Sequence, residues 1–106
     1  MTGLELIAKE RERQIERKGF TADHDDEHVD GEMSWAACYY AMPKNMRILD
    51  PLEEISPLCF FRETGWNHHW AGRDGKTRIQ QLACAGALIA AEIDRLLRRE
   101  AADVQD

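Results

Sequence analysis

Two short motifs bracket this chain and commit both of its ends to helix. Thr2 with Glu5, and Thr77 with Gln80, match the capping-box pattern that satisfies the open amides of a helix start. After Thr2 a helix is predicted over about residues 4–18, with Leu4, Ile7, Ala8 and Ile15 on one face and Gly19 as its stop. After Thr77 comes the longest helix, predicted over about 78–99, with Ile79, Leu82, Ala85, Gly86, Ile89, Ile93 and Leu96 on the stripe expected to face the core. A third helix is predicted over about 31–42, capped by Asp30 and ended by Pro43. Met33, Trp35, Ala36, Ala37, Cys38, Tyr39, Tyr40 and Ala41 leave it apolar on every side, as in a helix surrounded by protein. The fold class that follows is all-α: one domain, 1–106, built as a small bundle of three main helices plus a short helix after Asp50-Pro51. A long Pro/Gly-containing loop over 43–75 completes it.

That loop holds all three prolines of the chain and is longer than most connections in compact domains, which marks it as functional or disordered. The run Trp66-Asn67-His68-His69-Trp70 favours docking over disorder. With 106 residues the chain can bury a modest core without disulfides. Cys38, Cys59 and Cys84 are an odd number without a Cys-x-x-Cys pair, so neither a disulfide framework nor a thiolate zinc site is expected; Cys38 and Cys84, in apolar helical stretches, read as inert. A net charge of -6 argues against binding a nucleic-acid backbone. Charge from Glu5 onward and a longest apolar run of only Leu82 to Ala91 lead us to expect no signal peptide, no membrane partner and a cytoplasmic location. An all-round apolar middle helix in so small a chain also predicts a homo-oligomer.

Arg11 and Lys18 fall on the apolar stripe of the first helix, with Gln14 at its edge, while Arg78 lies on that of the last, bordered by Gln81 and Glu92. A core-facing arginine needs a partner. Either Arg11 pairs with Glu32 or Glu92 and ties helices together, or Arg11, Gln14, Lys18 and Arg78 line a polar pocket in which guanidinium forks grip phosphate. Trp66, His69 and Trp70 could close such a pocket by stacking on a base, or could plug the core.

Between the first two helices, His24-Asp25-Asp26-Glu27-His28-Val29-Asp30-Gly31-Glu32 gathers two imidazoles and five carboxylates. A metal site here would draw on His24, Asp25, His28, Asp30 and Glu32, with Glu92 from the last helix. Oxygen-rich sets suit magnesium or manganese, and mixed imidazole-carboxylate sets suit zinc, iron or manganese. His24 and His28, four apart, align only if the segment is helical. A solvated acidic loop holding one cap and one salt bridge is the plainer expectation. No serine or cysteine carries the marks of a covalent catalyst.

The stretch Lys9-Glu10-Arg11-Glu12-Arg13-Gln14-Ile15-Glu16-Arg17-Lys18-Gly19-Phe20 resembles a group of small phage and prophage proteins, as do His24-Asp25-Asp26-Glu27-His28, Gly31-Glu32 and Ala36-Ala37. So does the ending Ala85-Gly86-Ala87-Leu88-Ile89-Ala90-Ala91-Glu92-Ile93-Asp94-Arg95-Leu96. More distantly, the order of a Glu-Arg-x-Arg-Gln helix, a His-containing loop, a Gly-Glu helix start and an Ala-rich last helix is similar to phage MazG-like nucleotide pyrophosphohydrolases. Those enzymes hold magnesium on Glu-Glu-x-x-Glu and Glu-x-x-Asp helices, of which this chain keeps Glu32 and, at most, Glu92 with Asp94.

The resemblance implies a phage protein in the host cytoplasm that binds a phosphorylated nucleotide-type ligand without turnover, sequestering an immune signal with no resident cofactor. Two alternatives stand beside it: a MazG-like pyrophosphohydrolase using magnesium or manganese, and an inhibitor that meets a host protein through the long loop.

Overall fold

The computed structural model describes residues 1–43 and 75–105. The described residues are helical with no strand: α1 Gly3–Lys18, α2 Ala22–Asp26, α3 Glu32–Ala41 and α4 Arg78–Gln105. The fold is all-α. The short helix expected after Pro51 and the loop residues Trp66, His69 and Trp70 lie outside the described residues.

Local chemistry sets the helix ends. At α1, Thr2 Oγ1 accepts the Glu5 amide at 3.2 Å, and Gly19 closes the helix in the left-handed region at φ 72°. At α4, Thr77 Oγ1 accepts the Gln80 amide at 3.1 Å, while the Thr77 amide donates to Gln80 Oε1 at 2.9 Å. Asp30 does not cap α3 as expected. Gly31 takes the cap position at φ 82°, with no side-chain cap, and the Asp30 amide donates to Glu32 Oε1 at 2.6 Å. The far end of α3 is closed by Arg78, whose guanidinium donates to the carbonyls of Tyr40 at 3.1 Å and Met42 at 3.2 Å, and to that of Ala41. A cation on unpaired C-terminal carbonyls contributes about 0.3–1 kcal/mol.

α1, α2 and α3 all pack on α4. The core joins Phe20, Ala36, Ala37, Tyr39 and Tyr40 to Cys84, Ala85 and Leu88, with Met33 fully buried. α4 therefore turns mainly small residues inward: Ala83, Cys84, Ala85, Ala87 and Ala91 are buried with Leu88. Most of the expected stripe stays exposed, although its Gly86 lies against Ile7 of α1. Ile79, Leu82, Ile89, Ile93 and Leu96 are between 45 % and 65 % exposed, and only Ala85 of the stripe is buried. The reason is distance of approach. An alanine face lets neighbouring helices come close, and on the other stripe the gap at Gly86 admits α1, where a Cβ would stand 2.6 Å from Ile7 Cδ1. On α1, Leu4 and Ile15 are likewise exposed, and Gln14 is the buried residue.

Candidate functional site

The acidic stretch is not a simple solvated loop. Thr21 Oγ1 accepts the His24 amide at 3.4 Å and opens α2, which contains His24 but ends at Asp26, so His28 lies past the helix and not on its face as the spacing required. Asp25, fully buried, accepts from Arg11 Nη2 at 3.0 Å and from His24 Nδ1 at 3.0 Å. His24 Nε2 faces His28 Nε2 at 3.3 Å, and His28 Nδ1 contacts Glu32 Oε2 at 3.0 Å. Phe20 stacks on the His24 ring, with centroids 4.6 Å apart and planes 4° from parallel. One continuous polar chain thus runs Arg11, Asp25, His24, His28, Glu32, linking α1 to α3 through α2.

This arrangement decides between partners for Arg11. It pairs with Asp25, and its Nη1 also donates to the Phe20 carbonyl at 3.4 Å, rather than meeting Glu32 or Glu92. Of the metal candidates, His24, Asp25, His28 and Glu32 meet in the chain, Asp30 contributes only its amide, and Glu92 accepts from Arg95 Nε at 2.6 Å. Among the described residues no group of three or more His, Cys, Asp or Glu side chains converges as a ready donor set.

Two of the expected anion grips are held by protein groups, Arg11 by Asp25 and the Phe20 carbonyl and Arg78 by the end of α3. Gln14 is buried, and its Oε1 has no hydrogen-bond partner among the described residues. Lys18 is half-buried and lies in the electrostatic field of Arg13, Lys76, Glu10 and Cys84. Burial holds its pKa below the usual lysine value, and the charges of Lys76 and Arg13 push it further down. Arg13 grips both oxygens of Glu10, at 2.8 and 2.6 Å, and Cys84 Sγ donates to Glu10 Oε1 at 3.2 Å. Burial raises the Glu10 pKa, but those bonds outweigh it and the net shift is downward. Burial, with Glu10 beside it, pushes the Cys84 thiol up to about 11, so this cysteine is an inert core residue. Cys38, expected to be inert as well, is exposed.

A basic groove was not foreseen from the sequence. Asp26 and Val29 face Arg95, Arg98, Arg99 and Ala102 across an open cavity of about 460 Å³. Arg98 Nη2 donates to Asp26 Oδ1 at 2.7 Å and to the Ala22 carbonyl at 3.5 Å, fastening α2 to α4; the Asp26 bond raises its pKa. Arg95 is buried beside Glu92, whereas Arg99 is exposed. Positions 95, 98, 99 and 102 share one helix face, and that spacing was the signal available in the sequence. The predicted end of α4 near residue 99 left Ala102 outside it, but the helix continues to Gln105.

No family model, no curated protein and no solved structure matches this chain.

Proposed function

We propose that the protein binds a phosphorylated, nucleotide-type small molecule without turning it over, in the groove between the α2–α3 segment and the C-terminal part of α4. The carrying observation is the groove itself: three arginines against one aspartate, in a chain whose net charge is -6. Its volume lies within the usual range for small-ligand sites, roughly 300–1,000 Å³. Arg99 supplies an exposed planar fork for a phosphate, Arg98 a second once it leaves Asp26, and Val29 with Ala102 an apolar surface for a base or sugar. Arg11, Arg78 and Lys18 leave the reading as direct grips and enter it as supports of the scaffold. Turnover through metal ions needs several carboxylates with open oxygens. Here Asp25 is held by Arg11 and His24, and Glu32 by His28 and the Asp30 amide. In the phage setting implied by the resemblance, such binding is sequestration of a nucleotide immune signal in the host cytoplasm.

The test is depletion of free ligand from a panel of cyclic oligonucleotides, ADP-ribose derivatives and nucleoside triphosphates in magnesium. One ligand falls in proportion to protein, returns intact on denaturation, and is no longer depleted by Arg99→Glu. Products accumulating beyond the protein concentration would overturn binding without turnover and favour the hydrolase. No depletion of any ligand would overturn the reading and favour a protein partner.

A further inference from the structure

We infer that Arg95 reads the phosphates of the ligand: with Arg99 it makes a two-step anion site that selects a diphosphate over a single phosphate. The inference rests on the groove reading above and deepens it. Arg95 is only 7 % exposed, yet it lines the groove together with the more exposed Arg98 and Arg99. It is therefore the floor of the groove, and Arg99 is its rim.

A guanidinium taken out of water normally has its N–H groups met. That of Arg95 does not. Its Nε donates to Glu92 Oε1 at 2.6 Å and its Nη2 meets the same oxygen, while Nη1 has no partner among the described residues. The usual fork pairs each nitrogen with its own carboxylate oxygen. Here both nitrogens crowd onto one oxygen, and Glu92 Oε2 is left buried without a partner. Among the described residues the buried side-chain atoms that lack a partner are Gln14 Oε1 and Glu92 Oε2, so Arg95 Nη1 is not sealed in and opens where the residue lines the groove. The charge of Arg95 is balanced in advance by Glu92, and one edge of its fork is left for an acceptor that the protein does not supply.

Spacing along α4 gives the size of that acceptor. Arg95 and Arg99 stand four positions apart on one helix face, about 6 Å along the axis. Glu92 pins Arg95, so the floor arginine cannot rise to share one phosphate with the rim without breaking its pair. The oxygens of a single phosphate lie on one small tetrahedron and satisfy one fork. A diphosphate carries a second set of oxygens one step deeper, and places its outer phosphate on Arg99 and its inner phosphate on Arg95. Arg98, held by Asp26 at 2.7 Å, joins only when it leaves that carboxylate. With Arg95 balanced by Glu92 and Arg98 by Asp26, only Arg99 is uncompensated in the groove, so selection depends on the shape of the forks more than on bulk attraction.

The experiment follows the arginine Nε–H resonances of the full chain by NMR during separate titrations with inorganic phosphate and with pyrophosphate at matched ionic strength, which keeps screening constant. These probes carry no base, so the outcome is independent of which nucleoside the groove accepts. Pyrophosphate shifts the Arg95 and Arg99 resonances and binds about tenfold more tightly than phosphate, as one further charge-assisted fork implies, whereas phosphate shifts Arg99 alone. Arg95→Lys keeps a positive charge beside Glu92 but lacks the fork, and it brings pyrophosphate down to the affinity of phosphate. Far-UV circular dichroism checks that the variant keeps its helices, and the resonances of the unmutated chain decide the matter if it does not. Equal affinity for the two anions, a pyrophosphate shift confined to Arg98 and Arg99, or a preference that survives Arg95→Lys would overturn the role of Arg95 and leave the groove as a plain anion surface. No shift of any groove arginine with either anion would overturn the groove reading itself, so the two failures are distinct.

Discussion

At the scale of single residues, the strongest commitment is the pair Arg11 and Asp25. Asp25 is 0 % exposed and its carboxylate takes hydrogen bonds from both Arg11 and His24. Removing one member of a buried pair strands the other charge, at a cost of about 3–5 kcal/mol. Arg11→Met is therefore expected to destabilise the domain by that amount, read as a lower urea midpoint at unchanged slope. Replacing both partners, as Arg11→Met with Asp25→Leu, should recover a large part of the loss, because no charge is then left unpaired. A single variant costing less than about 1 kcal/mol would show that the pair is dispensable. The sequence exposed the need for this pair, since Arg11 lies on an apolar stripe, but not its partner. Asp25 is fourteen positions away, and it faces Arg11 only because α2 folds a segment that reads, by composition, as solvated loop.

At the scale of elements, three helices and two of their capping boxes were legible because they depend on local chemistry: Thr2 with Glu5, Gly19, and Thr77 with Gln80 act within a few residues of themselves, whereas α2, the Gly31 cap of α3 and the last turns of α4 were not. Which face of α4 turns inward was not legible. The helix has two apolar faces, one of large aliphatic residues and one of alanines, and counting hydrophobicity selects the first. The fold uses the second, because close approach of helices requires small side chains. The groove arginines all lie within the predicted helix and were missed because the segment that faces them, with Asp26 and Val29, reads by composition as a solvated loop. Gly86 tests the close-approach account directly. An alanine there gains about 1 kcal/mol in helix propensity, but its Cβ would lie 2.6 Å from Ile7 Cδ1 and 2.7 Å from Cγ1. Moving two atoms of a packed isoleucine typically costs about 1–3 kcal/mol, so Gly86→Ala should be net destabilising by about 1 kcal/mol. Ile7→Ala combined with it should relieve the clash, giving a coupling between the two sites in a double-mutant cycle. Purely additive effects would mean that α1 does not rest on Gly86.

At the scale of the whole molecule, the outward stripe of α4 is the feature that a single copy leaves unexplained. Ile79, Leu82, Ile89, Ile93 and Leu96 are all exposed, and Leu82, Ile89 and Leu96 repeat at seven-residue spacing, with Ile79 and Ile93 in the alternate register and Gly86 between them. That is a spacing with which helices pair lengthwise, interrupted at Gly86 where Ile7 of α1 rests, and the expected partner for the exposed residues on either side is a second copy of this chain. An exposed row of large aliphatics on a monomer would otherwise favour indiscriminate association. The protein is expected to be a homodimer or a larger symmetric assembly in solution, read as the mass from light scattering during size exclusion at micromolar concentration. Ile89→Glu with Ile93→Glu, both at exposed positions, should give a monomer that keeps its helices, because the alanine face of α4 is untouched. A wild-type chain that runs as a monomer over the accessible concentration range would instead require some other cover for the stripe. A dimer indifferent to both substitutions would place the contact on a different face, leaving α4 to serve only as the shared spine of α1, α2 and α3.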